Sequence, residues 1–175
     1  MPDPSLSDAI REAYASAPTG TVIHHTLEFW HPAFTSPIRV VRDFEPLDAR
    51  IEAGAARDAG QIVTFVPYAF DVVPPDQTSA ALPQCTIKID NVSREIVGAL
   101  GAAVRAGGPI EVIYRPYLSD TADEGPDTDP PLILTLISVS ADAHRIRAVA
   151  GFPDLRNRLF PFLDYSLERF PGLVA

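Results

Sequence analysis

Apolar and polar residues alternate in one short run after another along this chain, and proline or glycine closes nearly every run. A strand turns successive side chains to opposite faces, so a period of two marks a strip with one side buried. Residues 21–30 set Ile23, His25, Leu27 and Phe29 on one face and His24, Thr26, Glu28 and Trp30 on the other. Residues 38–42 form a second short strand. Leu47, Ala49 and Ile51 alternate with charged neighbours, and residues 54–60 read as a hairpin loop. Residues 61–66 and 68–73 continue the pattern, with Pro67 marking a bend or an edge between them, because proline cannot donate to a ladder. Pro74-Pro75 ends that run. Cys85, Ile87 and Ile89 alternate with Thr86, Lys88 and Asp90, and residues 110–118 carry Ile110, Val112 and Tyr114 on one side. Residues 132–140 and 145–151 pair as a hairpin around residues 141–144.

Helical spacing occurs twice. Residues 5–17 carry Leu6, Ile10, Ala13 and Tyr14 on one stripe, with Ser5 or Ser7 as cap and Pro18 and Gly20 as terminators. So few large apolar residues predict a helix that docks on something rather than standing alone. Residues 93–106 repeat Ile96, Leu100 and Val104 and end at Gly107-Gly108-Pro109. Gly98 and Gly101 inside this helix cost roughly 1 kcal/mol each against alanine, which close packing on a sheet would justify. Residues 119–131 hold five acids and almost nothing apolar, predicting an exposed loop. The expected fold is mainly β (α+β), an antiparallel β-sandwich or partly open barrel over residues 21–151 with one packed helix. A helical extension, residues 1–20, and an extended apolar C-terminal arm, residues 152–175, reach outward from it.

A chain of 175 residues suits one domain with extensions, and 46% hydrophobic residues suffice for a sizeable core. The net charge of −9 disfavours nucleic acid, whose phosphates need a basic footprint. No apolar run approaches the ~20 residues of a membrane helix. The first ten residues have no basic start and no apolar core of a secretory signal, so synthesis in the cytoplasm is expected. Cys85 is the single cysteine, which excludes an internal disulfide and a Cys₄ or Cys₂His₂ zinc site.

Candidate chemistry is sparse. His24, His25, His31 and Glu28 are the nearest thing to a metal cluster, but adjacent histidines on a strand face opposite ways, and zinc usually needs at least three protein ligands. Asp120, Asp123, Glu124, Asp127 and Asp129 lack the acid spacing and central glycine of a calcium loop. Cys85 reads as a small buried hydrophobe. There is no Gly-x-Ser-x-Gly elbow, Walker loop or dinucleotide fingerprint. These absences predict a protein that is not an enzyme and carries no cofactor and no metal. Trp30, Tyr68, Tyr114 and Tyr117 leave a carbohydrate-binding module as the alternative, and a cell-wall hydrolase accessory domain is the second.

The end of the chain differs in kind. Phe152, Leu155, Leu159, Phe160, Phe162, Tyr165, Phe170 and Leu173 are interleaved with Pro153, Pro161 and Pro171, which forbid one long helix. A stretch this apolar predicts a contact arm for the chain's own core or for a neighbouring subunit.

Three segments resemble a known family. They are Leu27-Glu28-Phe29-Trp30-His31-Pro32 running into Pro37-Ile38-Arg39-Val40-Val41, then Ile87-Lys88-Ile89-Asp90-Asn91-Val92-Ser93-Arg94-Glu95, and the closing Asp154-Leu155-Arg156-Asn157-Arg158-Leu159-Phe160-Pro161 with Tyr165-Ser166-Leu167-Glu168-Arg169-Phe170-Pro171-Gly172-Leu173. In that order they resemble small minor tail or tail-tip proteins of long-tailed phages and prophages, a domain of unknown function encoded next to the tape-measure gene. The resemblance implies a structural protein of a tail or tail tip, assembled in the bacterial cytoplasm and retained in the virion tail. It also implies partners among the tape-measure C-terminus, neighbouring tail-tip or hub subunits and further copies of itself. A related group of minor tail proteins holds an iron–sulfur cluster on several C-terminal cysteines; this sequence has none there, so the resemblance brings no cofactor and no catalytic residue.

Overall fold

The computed structural model describes residues 6–16, 20–73, 84–90, 94–142 and 145–152. Among them, strands outnumber helices. In chain order come α1 (Asp8–Ser16), β1 (Ile23–Trp30), β2 (Ile38–Val41), β3 (Leu47–Arg50), β4 (Ile62–Pro67) and β5 (Phe70–Val73). They are followed by β6 (Gln84–Asp90), α2 (Arg94–Ala106), β7 (Glu111–Leu118), β8 (Leu132–Ala141) and β9 (Arg145–Gly151). The protein is mainly β, a single open mixed sheet in the order β3-β4-β2-β1-β7-β8-β9-β6-β5.

That order puts β4 and β5 near opposite ends of the sheet, although only Tyr68 and Ala69 separate them in the chain. The Tyr68 amide donates to Val41 O at 2.9 Å, and the Asp90 amide donates to Ala69 O at 2.9 Å. One chain segment, bent just after Pro67, therefore serves both ends, and the sheet curls to let it. The inner face closes on a shared core in which Leu27, Phe29, Val40, Phe70, Cys85, Ile87, Ile89 and Val112 are all buried. The period-two run predicted around Cys85 holds, whereas in β1 Leu27 and Phe29 are buried as predicted but Thr26 and Glu28 on the opposite face are buried too.

Most ladders are antiparallel, as expected, but β2 and β4 run parallel, with Val40 opposite Val66. The cause is the β3–β4 hairpin: its second arm, not its first, comes to lie beside β2, so two reversals restore the direction. Asp58 and Gly60 adopt positive φ, 48° and 69°, to turn that hairpin.

Helix α1 docks as its few large apolar residues predict, and helix α2 departs from its predicted face. In α2 the buried residues are Leu100 and Ala103, while Val104 is exposed. At about 100° per residue, seven residues come back to nearly the same direction and eight overshoot by roughly 80°, so counting in fours drifts off the buried stripe. Gly98 has nothing within 4 Å of an added Cβ, and Gly101 meets only the Arg105 side chain at 3.5 Å, so neither glycine is there for close packing. Residue 93 lies outside the described residues.

Helix α1 does not reach outward. Ser7 caps it, its Oγ accepting from the Ile10 amide at 3.2 Å, and Ile10 and Ala13 pack on Leu118. Tyr14 leaves the stripe and is 52% exposed. The acidic segment 119–131 is exposed over Asp120, Asp123, Glu124 and Asp129, as predicted. Asp127 is the exception: it accepts from the Leu118 amide at 2.9 Å and from Ser7 Oγ at 2.9 Å, and Ala122 and Thr128 beside it are buried.

The curl makes the inner face the main store of stability. Replacing the fully buried Ile87 by alanine is expected to cost about 3 kcal/mol. The same change at the exposed Ile137 should cost under about 0.5 kcal/mol. Urea denaturation of the two variants measures the difference.

Candidate functional site

Two polar constellations stand out, one on each face of the sheet. On the inner face, β1 brings His25 and Leu27, and the Arg42 amide donates to His25 O at 2.9 Å. Val40 is buried inward and Val41 packs outward, so alternation turns Arg42 inward. On the other side of β1, Tyr114 of β7 lies opposite Leu27 and Pro116 lies opposite His25. Tyr114 and His25 thus become diagonal neighbours on one face, their rings stacked with centroids 6.0 Å apart and 19° between planes. The Tyr114 hydroxyl is 2.7 Å from His25 Nδ1.

These groups border a cavity of about 280 Å³. Its walls are Leu27, Phe70, Val72, Cys85, Ile87, Leu132 and Leu134, and its polar end is His25, Tyr114, Arg42 and, from α1, Tyr14. Burial lowers the His25 pKa from its ordinary 6.5, helped by the charge of Arg42 and then by His24. Burial pushes the Tyr114 hydroxyl far above the phenol range, with Tyr14 adding to the effect. Burial likewise raises the Cys85 thiol, against an opposing backbone hydrogen bond from Ala150, so a reactive thiolate is disfavoured there. Burial thus favours the uncharged forms of the His25 imidazole and the Tyr114 hydroxyl, with Arg42 beside them. Such a set can bind and orient a ligand, and it holds no activated nucleophile.

On the outer face, Glu28 is 1% exposed and is surrounded by arginines. Arg39 Nε lies 3.0 Å from it, Arg115 Nη1 3.3 Å and Arg57 Nε 3.4 Å. Arg115 grips Glu52 through two parallel hydrogen bonds of 2.7 and 2.8 Å. Arg39 also pairs with Asp58, and Arg57 pairs with Glu111 while its guanidinium carbon sits 4.9 Å from the Trp30 ring centroid. Glu52, Arg57 and Asp58 all come from the β3–β4 hairpin, which folds over this face. Burial opposes ionisation of Glu52, but Arg115 outweighs it and holds the carboxyl below its usual range. Burial opposes the Arg115 charge too, and Glu52 and Glu28 together hold the guanidinium more firmly protonated than a free arginine. Each acid of the cluster has its arginine, and the pairs fasten the hairpin to the sheet.

The residues singled out by sequence are scattered between these places. His24 faces Asp43, with Nδ1 2.9 Å from the carboxylate. His25 faces the cavity. The buried His31 donates through Nε2 to Gly107 O at 3.0 Å and accepts from the Ala33 amide at 3.0 Å, which ties the end of α2. Among the described residues, no three His, Cys, Asp or Glu side chains gather to hold a metal ion. Trp30 lies under Arg57, Tyr114 lines the cavity, and Tyr117 is buried outside it against Phe65, donating to Arg50 O at 3.1 Å. The four aromatics form no common row. Of the arm, Phe152 follows β9 and is 47% exposed, whereas Leu155, Leu159, Phe160, Phe162, Tyr165, Phe170 and Leu173 lie outside the described residues. Sequence reasoning missed the cavity cluster. The signal was present, since His25 and Tyr114 each sat on the apolar face of its strand, but only the β1–β7 register brings them together.

Glu28→Ala would leave Arg115 buried without its partner and is expected to cost about 3–5 kcal/mol. Glu111→Ala, at the open end of the cluster, should cost under about 1 kcal/mol by the same denaturation measurement. His25 adds a pH dependence. Because its folded pKa is lowered, the unfolded chain binds more protons just below pH 6.5, and stability falls as pH drops through that window. His25→Asn should flatten the loss of unfolding free energy between neutral pH and about pH 5.

Comparison with known proteins places these features in a lineage. No curated protein matches the sequence. Residues 9–165, from α1 across the whole sheet and into the C-terminal segment, match the family described as "Domain of unknown function (DUF1833)". The chain belongs to that family.

Proposed function

We propose that this chain is a structural component of a phage or prophage tail, a minor tail or tail-tip protein that acts through protein–protein contacts. One observation carries the contact reading: the outer face of β8 leaves two large branched side chains, Ile133 and Ile137, exposed among the described residues. Across the sheet, Glu28 of β1 lies opposite Ile113 of β7, and Ile113 lies opposite Ile133 of β8. The ion-paired hairpin shelters this row as far as Ile113, which is buried, and beyond it Ile133 is 43% and Ile137 59% exposed. Val149 of β9, which is half-buried, pairs with Ser138, the residue after Ile137, and the end of β9 leads into Phe152. Exposed branched side chains grouped on a sheet face mark a contact surface more often than isolated ones do.

The tail context rests on the resemblance carried by Leu27–Pro32, Ile87–Glu95 and the closing segments. Its partners are then the tape-measure C-terminus, tail-tip or hub subunits, or further copies of the chain, in the virion tail after assembly in the bacterial cytoplasm. Closed rings need complementary surfaces on each subunit, and an arm given to a neighbour is a low-cost way to form them. A partly open barrel is the finer architecture we favour, supported by the bend at Tyr68–Ala69 that joins the two sheet ends.

Two changes test the proposal. Ile133→Asp with Ile137→Asp should leave the far-ultraviolet spectrum intact and reduce incorporation into tails by roughly tenfold or more. Deleting residues 152–175 should lower the solution mass of the assembly or block incorporation. Full incorporation of both variants into infectious tails would overturn the reading.

A further inference from the structure

We propose that the cavity beside α1 binds a small amphipathic carboxylic acid, its apolar body against Leu27, Phe70, Ile87 and Leu134 and its carboxylate on Arg42. The inference stands apart from the assembly reading, since it depends on the inner face alone.

The polarity of the lining selects the ligand class. Seven of the lining side chains are apolar or nearly so, and the polar groups converge at one end, the arrangement that fixes a ligand's orientation. Among the described residues no carboxylate lines the cavity, although the whole chain carries a net charge of −9. Arg42 is its one cation, and no carboxylate among the described residues forms an ion pair with it. Asp43, Asp71 and Asp90 border the neighbouring groove that shares Arg42; Asp43 lies 2.9 Å from His24 Nδ1 and Asp90 pairs with Arg145. A guanidinium in this position suits a planar carboxylate, which it can meet with two parallel hydrogen bonds.

The neighbours of Arg42 fit the same group. If the Tyr114 hydroxyl donates to His25 Nδ1, the neutral imidazole keeps its proton on Nε2 as a donor, and Tyr14 supplies a further hydroxyl at the mouth. An amine would face Arg42 with like charge, and a bare inorganic anion would leave the apolar wall uncovered. Size narrows the class further. A space of about 280 Å³ equals roughly nine waters at liquid volume, close to an acid of about eight carbons.

Octanoate, 1-octanol and octylamine are the probes, titrated calorimetrically into the full chain. Octanoate should bind once per chain, octanol roughly tenfold or more weakly, and octylamine not measurably. Arg42→Gln, an exposed side chain without an ion-pair partner among the described residues, should bring octanoate down to the level of octanol. Val72→Phe, which fills the cavity from β5, should weaken both ligands while thermal unfolding stays cooperative. Failure of octanoate to bind in the millimolar range would overturn the proposal. Equal binding of octanoate and octanol would overturn it too, as would binding untouched by both variants.

Discussion

Two peptide units hold the architecture together. Tyr68 hydrogen-bonds back to β2 and Ala69 to the strand end of β6, so a single bent segment sees both ends of a nine-stranded sheet. A flat sheet could not satisfy both bonds with only two residues between strands, because β4 and β5 would be separated by six intervening strands. The right-handed twist of strands supplies the curl, and Pro67 supplies the break that lets the chain turn the corner. From that constraint follow the shared inner core and a cavity that exists only because β1, β5, β6, β7 and β8 face one another.

The two faces solve burial in different ways. Inside, branched side chains from many strands interlock, and the stabilisation follows apolar area removed from water. Outside, there is no second sheet to pack against β1, β2 and β7, so the β3–β4 hairpin folds over them. That cover meets the sheet through arginines and carboxylates near its rim and through Phe65, Ala49 and Ile51 against Val41 and Tyr117 deeper down. Burying Glu28 and Arg115 costs desolvation that a hydrophobic pair would avoid. What the ions add is geometry: Arg115 can grip Glu52 and reach Glu28 only when the hairpin sits in one position. The cluster thus fixes the placement of a cover that apolar packing alone would locate loosely.

This division explains what was legible in the sequence. Alternation is local, so Leu27 and Phe29, or Ile87 and Ile89, declared their buried face without knowledge of any partner. Register is not local. His25 and Tyr114 each carried an inward signature, yet their meeting depends on two strands 89 residues apart in sequence. Glu28 looked like a solvent-facing residue because nothing in its own strand announces the three arginines that arrive from β2, β7 and the hairpin. In segment 119–131 the acid-rich composition marked the exposed Asp120, Asp123, Glu124 and Asp129 but not Asp127, whose carboxylate accepts from the Leu118 amide and Ser7, because such backbone capping leaves no compositional trace. Val104 was misjudged by arithmetic, a count of four where the helix turns in 3.6 residues.

The positions of the strand ends link the two faces. At the start of β8, Leu132 pairs with Tyr114, beside the polar end of the cavity. Strand β9 runs back toward that same start, since Ala150 lies opposite Leu136 and Gly151 opposite Thr135. Phe152 therefore leaves the sheet heading for the region where α1, Tyr14 and Arg42 gather. Helix α1 is held there through its Ser7 cap, the Ser7–Asp127 hydrogen bond, and Ile10 and Ala13 packed on Leu118. The exposed end of β9 and the polar end of the cavity thus lie toward the same end of β8.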